Sequence, residues 1–258
     1  MKVLECFSLK GKVAIITGGA GLYGRQIVEA LAEAGAKTYV ASRNLEALEK
    51  VAAIHRKKGE DVTAVQFDQG EEFSALALRD RVMKEAGKID VLVNNSVARP
   101  MKGYADKIEN YAESMRINAT GLFAVTRAVG DAMSPGGSIV NIGSIMGLIG
   151  PEPANYRGTD MNGFYPEYFF HKGGMVNLTR FLASYFGSKN IRCNCIHPGG
   201  FQTEKMPAAF VRQYCERTCL GRLANASDLK GIIVFLASDA SLYVTGANIP
   251  IDGGYTAK

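Results

Sequence analysis

Tyr168 and Lys172 stand four residues apart in the stretch Phe164-Tyr165-Pro166-Glu167-Tyr168-Phe169-Phe170-His171-Lys172, just ahead of Met175–Ala183, which reads as a helix. Residues i and i+4 share one helix face. A phenol beside an ammonium ionises more readily than its ordinary pKa of ~10 allows, so it can give and take a proton near neutral pH. The spacing alone recurs by chance; its neighbours give it meaning. Thr17-Gly18-Gly19-Ala20-Gly21-Leu22-Tyr23-Gly24 follows a strand-like run, Val13–Thr17, and opens a helix-like run, Tyr23–Ala34. Glycines in that place let the backbone approach a pyrophosphate, and the helix N-terminus offers it unpaired N–H groups. A tight turn without a ligand is the alternative.

The end of the second strand-like run selects the nucleotide. It reads Ala41-Ser42-Arg43-Asn44, with no acid to bind a ribose 2′-hydroxyl. Ser42 and Arg43 suit a 2′-phosphate, so NADP(H) is favoured and NAD(H) remains possible, unless Arg43 is only a solvated surface charge. Asp68, in Phe67-Asp68-Gln69, suits either an adenine amino group or a helix cap. Asn94-Asn95-Ser96 ends the fourth strand-like run, where side-chain amides can lock the glycine turn.

Strand-like and helix-like segments alternate from end to end, which predicts a single-domain α/β fold: a doubly wound parallel sheet of about seven strands with helices on both faces, the Rossmann arrangement. The expected elements include one long helix from Met115 to Met133, a strand at Ile191–Ile196, a helix from Asn225 to Ala237 and a last strand at Ala247–Ile251. No linker or repeat divides the 258 residues. Thirty Lys and Arg against 25 Asp and Glu give a net charge of +5, too mild and too dispersed for a nucleic-acid footprint. No run is apolar enough to span a membrane and no signal-peptide core opens the chain, so a cytoplasmic protein is expected. Five cysteines without a Cys-x-x-Cys pair fit reduced thiols, and with three scattered histidines they suggest no metal site.

Taken together, these residues resemble the short-chain dehydrogenase/reductase family from Thr17 to Gly254. The resemblance rests on the glycine turn, Asn94-Asn95, Asn118 in Arg116-Ile117-Asn118-Ala119-Thr120-Gly121, Ser144, Tyr168-x-x-x-Lys172, Pro198-Gly199 with Thr203, and Ile251-Asp252-Gly253-Gly254. It implies that Tyr168 is the general acid and base, that Lys172 lowers its pKa and holds the nicotinamide ribose, and that Ser144 hydrogen-bonds the reacting oxygen. Asn118 would hold a water linking Lys172 to solvent, and Gly199 and Thr203 would border the nicotinamide. The coenzyme-binding set is then Gly18, Gly21, Leu22, Tyr23, Gly24, Ser42, Arg43, Asp68, Gln69, Asn95, Ser96, Tyr168, Lys172, Pro198, Gly199, Phe201 and Thr203. A homotetramer is also implied.

Three departures stand out. Leu22 occupies a position where the family usually has Gly, and Ser96 one where Ala is common. Ser144 and Tyr168 lie about twice as far apart as usual, with an insertion at about 153–165 between them. An insertion so placed should border the substrate, although packing on a neighbouring subunit is the other possibility. Its Asn, Tyr, Arg, Thr and Asp suit a polyhydroxylated ligand, and a similar insertion marks family members linked to sugar acids and surface-polysaccharide sugars. Expected substrate contacts are Ser144, Tyr156, Arg157, Tyr168 and Gly200. Residues 201–223 form an expected lid whose Lys205, Arg212 and Arg217 would suit an anionic substrate, or else face solvent. The expected activity is NADP(H)-dependent oxidoreduction of a sugar, sugar acid or polyol. A 3-oxoacyl thioester reductase and a non-catalytic dinucleotide sensor are the alternatives.

Overall fold

The computed structural model describes residues 2–258. Seven parallel strands, β1 (Val13–Thr17), β2 (Lys37–Ser42), β3 (Val62–Gln66), β4 (Val91–Asn94), β5 (Ser138–Ile142), β6 (Arg192–Pro198) and β7 (Asn248–Ile251), form one sheet in the order β3-β2-β1-β4-β5-β6-β7. The order reverses between β1 and β4, which pair with Ile15 opposite Leu92. A crevice therefore opens there, beyond the carboxyl ends of the strands.

Alternate side chains of the buried strands feed two cores. Ala14, Ile16, Val40 and Val140 pack against Ile27 and Leu31 of α1 (Leu22–Glu33), Leu48 of α2 (Leu45–Lys57) and Ile233 and Leu236 of α8 (Lys230–Ala237). On the other face Ile15, Tyr39, Leu92 and Ile139 pack against Leu78 of α3 (Glu72–Ala86), Val125 and Val129 of α5 (Leu122–Ala132), and Leu182 and Phe186 of α6 (Pro166–Phe186). A polar rung ties this second layer to the strands. The Asn94 amide donates to Thr126 Oγ1 and Asn141 Oδ1, and the Asn141 amide donates to Thr179 Oγ1, all at 2.9 Å. These bonds fix α5 and α6 relative to β4 and β5.

The long helix expected from Met115 to Met133 is three pieces: α4 (Ile108–Met115), a π-helical turn (Arg116–Gly121) and α5. The cause lies in the neighbouring segment after β3. Gln69 donates its amide N–H to the Ile117 carbonyl at 3.0 Å, and a Cβ at Gly121 would overlap the Gln69 carbonyl oxygen. Such turns often mark functional positions, and Asn118 sits in this one. The helix expected from Asn225 starts only at Lys230. Before it, Asp228 accepts from the Asn225 N–H and holds Arg222 in a bidentate pair, which stabilises a turn instead. Within residues 201–223 one helix forms, α7 (Ala208–Arg217). Among the described residues no helix is long and apolar enough to cross a membrane, and all five cysteines are free.

Candidate active site

A cleft of about 710 Å³ occupies the crevice and runs from the glycine turn to α7. At one end, Gly18 adopts φ +74°, a conformation that side chains resist. Gly24 packs so close that an added Cβ would overlap the Gly18 carbonyl oxygen and lie 3.0 Å from Gly19 Cα. Gly21 has no such need: its φ is −71°, and a Cβ there would meet nothing nearer than 3.5 Å. Leu22, the odd residue of the turn, begins α1 with its side chain largely exposed. The turn is clamped to β4. Thr17 Oγ1 accepts from the N–H groups of Asn95 and Ser96 at 3.1 Å, and the Asn95 amide donates to the Gly18 carbonyl at 2.9 Å.

Tyr23 donates its hydroxyl to the Gly199 carbonyl at 2.8 Å and meets Phe201 edge-on, joining α1 to the end of β6. Burial, with smaller contributions from Tyr214, Asp228 and Tyr168, pushes its phenol well up, so it stays a neutral donor. Ser42, Arg43, Asp68, Gln69, Ser96 and Pro198 line the same cleft. Asp68 accepts from the Gly70 N–H at 2.9 Å; the N-cap of α3 is Glu71. This cradle fits a dinucleotide: a tight, Cβ-free turn at a helix N-terminus for the pyrophosphate, with Ser42 and Arg43 at the end of β2 lining the same cleft.

Ser144, Tyr168 and Lys172 meet in the middle of the cleft. Burial alone would raise the Tyr168 phenol. The Lys172 ammonium, the Arg99 guanidinium and the Ser144 hydroxyl act against it, and the net shift is downward. Lys172 Nζ lies 5.9 Å from the Tyr168 ring centre and donates to the Ile142 carbonyl at 2.5 Å. Burial lowers the Lys172 pKa, while Tyr168 pulls it back up. His197 is a support: Nδ1 lies 3.0 Å from the Ser144 carbonyl and Nε2 2.8 Å from Asn248 Oδ1, which fixes the main chain that carries Ser144. His171 is buried against Tyr168, and burial together with Lys172 and Arg99 pulls its pKa down to about 3; it is neutral and no proton donor.

Asn118 stands behind this centre and does not line the cleft. Its Oδ1 accepts from the Ala98 N–H, and its amide N–H groups go to the Ala98 carbonyl and Ser114 Oγ, at 2.8–2.9 Å. The side chain thus holds the segment after β4, and a water would have to be held by the main chain. Arg99, which nothing in the sequence singled out, follows directly. Its guanidinium carbon sits 4.2 Å over the Tyr168 ring centre. The available signal was position alone: a cation placed just past the carboxyl end of a strand beside the crevice.

The insertion and α7 build the far wall. Tyr156, Met161, Asn162, Gly163 and Tyr165 turn inward, facing Ile145, Met146, Met206, Phe210 and Tyr214. Gly200 also lines the cleft and donates its N–H to the Tyr214 hydroxyl at 2.6 Å. Buried Asn155 donates to the Tyr255 hydroxyl at 2.6 Å and pins the insertion to the last turn of the chain. Several expected contacts lie outside the cleft lining. Arg157 is exposed, its carbonyl accepting from Gln213. Thr203 also lies outside the lining. Of the lid cations, Lys205 and Arg212 are exposed, and Arg217 is spent on Glu152 at 2.6 Å. Of the insertion's polar residues Arg157 and Asp160 face outward, while the 3-10 turn (Pro153–Tyr156) sets Tyr156 against Phe210 of α7.

Comparison with known proteins agrees with this geometry. A family model described as enoyl-(acyl carrier protein) reductase matches residues 21–256. The chain is 34% identical to the 7alpha-hydroxysteroid dehydrogenase of Bacteroides fragilis over 96% of this chain and 95% of that one. It is 33% identical to the cis-4-hydroxycyclohexanecarboxylate dehydrogenase of Sinomonas cyclohexanicum over 95% and 97% of the two chains. The crystal structure of a gluconate 5-dehydrogenase from Burkholderia cenocepacia J2315, in complex with NADP and tartrate, superposes with a TM-score of 0.89 at 31% identity, with both chains covered completely. The chain belongs to the short-chain dehydrogenase/reductase family. It is an NAD(P)-dependent oxidoreductase acting on CH–OH groups.

Proposed function

We propose that the protein interconverts a carbonyl and a secondary alcohol on a sugar, sugar acid or polyol, with NADP(H) as coenzyme and Tyr168 as general acid and base. One observation carries the proposal: a half-buried phenol held between Lys172, Arg99 and Ser144, with its pKa drawn down, at the junction of a dinucleotide cradle and an open chamber walled by the insertion and α7. When bound, the coenzyme supplies or accepts the hydride. The turn Gly18–Gly24 and the N-terminus of α1 hold its pyrophosphate, Ser42 and Arg43 its 2′-phosphate, and Lys172 its ribose. Ser144 aims a hydroxyl at the reacting oxygen, where charge develops. Tyr168 gives that oxygen a proton in reduction and takes it back in oxidation, while Lys172 stabilises the phenolate. The Asn118 main chain, in its π turn, holds the water that returns the proton toward solvent.

The NADP-bound gluconate 5-dehydrogenase neighbour supports both the coenzyme and a polyhydroxylated acid. Tyr156, Asn162 and Tyr165 give the chamber polar groups for hydroxyls. Exposed Phe123 on α5 and Phe170, Phe181 and Tyr185 on α6 support pairing of these helices between copies in a homotetramer. Free thiols support a cytoplasmic setting. The test is a panel of ketoses, keto sugar acids and 3-oxoacyl thioesters, read by coenzyme absorbance with NADPH and NADH. Reduction of a sugar or sugar acid with NADPH is expected. Reduction of thioesters alone assigns the enzyme to acyl chemistry, and no turnover of any carbonyl leaves only a dinucleotide binder.

A further inference from the structure

One cation in the cleft has no task in the coenzyme cradle. Arg99 lies just beyond β4, exposed to the cleft. Seven other arginines are paired with carboxylates; among the described residues Arg43, Arg157, Arg180 and Arg212 are not, and of these four only Arg43, in the coenzyme cradle, also lines the cleft. Arg192 is spent on Ser241 and the carbonyls of Leu236 and Ser238, and Arg25 on the Ala20 carbonyl. Among the described residues Arg99 has no carboxylate or carbonyl partner; its guanidinium carbon lies 4.2 Å over the Tyr168 ring centre and it reaches the Tyr168 hydroxyl, which leaves the rest of its five N–H donors for a ligand. A guanidinium laid on a ring face is fixed in its plane and keeps its N–H edge available. That edge suits the two oxygens of a carboxylate. Across the chamber stand Met146, Tyr156, Met161, Met206 and Phe210, groups that shed water and so strengthen a charge pair formed beside them.

We infer that Arg99 binds a carboxylate of the substrate, placed a few bonds from the carbon that Tyr168 serves, so that the preferred substrates are hydroxy and keto acids whose carbon skeleton packs on the thioether and aromatic wall. The inference rests on the oxidoreductase reading and narrows it from sugars, sugar acids and polyols to acids. It also divides the cations of the site: Lys172 serves the phenol from behind, and Arg99 faces the ligand from the open side.

The test pairs acids with neutral counterparts: 3-oxocyclohexanecarboxylate with its carboxamide, and 5-keto-D-gluconate with L-sorbose. Wild type, Arg99→Gln and Arg99→Lys are assayed with NADPH, and binding of cyclohexanecarboxylate to the NADP⁺ complex is measured by calorimetry. In wild type, kcat/KM for acid over neutral partner is expected at about 10 or more, the scale of a charge-assisted hydrogen bond. Arg99→Gln is expected to bring that ratio to about 1 and to abolish carboxylate binding, with Arg99→Lys in between. Equal losses on acid and neutral substrates, with the ratio unchanged, would show that Arg99 serves only Tyr168 and overturn the inference. Turnover of the neutral partners without preference for the acids also overturns it, and leaves the oxidoreductase reading standing. Failure of wild type to turn over either series sinks the proposed sugar and sugar-acid chemistry. Carboxylate binding that is lost in Arg99→Gln would still support the anchor in that case, and its absence would end both.

Discussion

Lys172→Met isolates the charge that tunes Tyr168. Methionine fills much the same buried volume and removes the ammonium. At the 5.9 Å between Nζ and the Tyr168 ring centre, a unit charge at an effective dielectric of about 20 is worth about 3 kcal/mol, or about two pKa units. Alcohol oxidation needs the phenolate, so its rate rises with pH through the Tyr168 pKa. Carbonyl reduction needs the phenol, so its rate falls through the same pKa. In wild type that pKa lies below the ordinary tyrosine value. In Lys172→Met both limbs are expected to move up together by about two units, and oxidation at pH 7 to fall about 100-fold from this cause alone. The assay is the pH dependence of kcat in both directions at saturating coenzyme, with circular dichroism as the check on folding, because the Ile142 carbonyl loses its donor. A loss of activity with both limbs unmoved would refute the electrostatic reasoning and leave Lys172 as a coenzyme contact only.

Three further outcomes follow from the geometry. Gly24→Ala drives a Cβ into the Gly18 carbonyl and is expected to raise the coenzyme Kd at least tenfold and to cost about 1–3 kcal/mol of stability. Gly21→Ala should do neither, so equal effects in titration and thermal unfolding would contradict the turn geometry. Arg43→Ala is expected to lower the NADP(H):NAD(H) ratio of kcat/KM about tenfold or more, the scale of a charge-assisted phosphate contact; an unchanged ratio would remove Arg43 from the coenzyme site. Asn155→Ala breaks the buried bond to Tyr255 and is expected to cost about 1–3 kcal/mol. It should raise the substrate KM while leaving coenzyme titrations alone, and the opposite split would place the insertion on the coenzyme side.

The parallel sheet of about seven strands with helices on both faces, the glycine turn and the Tyr168–Lys172 pair were legible because they rest on local patterns: buried apolar runs, glycines between strand and helix, and an i, i+4 pair; Ser144 was tied to them only by the family resemblance. The π turn was not legible. Residues 115–133 keep a helical apolar rhythm throughout, and the turn arises from Gln69 and the space taken at Gly121, both set by a distant segment. The insertion misled for a related reason. A 3-10 turn has no strong periodicity to say which residues face inward, so Tyr156 and Arg157 were both expected at the substrate, while the fold turns Tyr156 and the unforeseen Met161 into the cleft and leaves Arg157 outside it. Arg99 stayed hidden because its neighbour, Tyr168, comes from another element. Only the fold brings the end of β4 over α6, and the Asn118 clamp on Ala98 sets its approach.

Tyr168→Phe keeps the ring that Arg99 covers and removes only the hydroxyl. Turnover of a wild-type substrate should fall at least a thousandfold, within the range for loss of a positioned acid or base, while NADPH binding by titration stays within about threefold of wild type. Turnover within tenfold of wild type would mean that another group moves the proton.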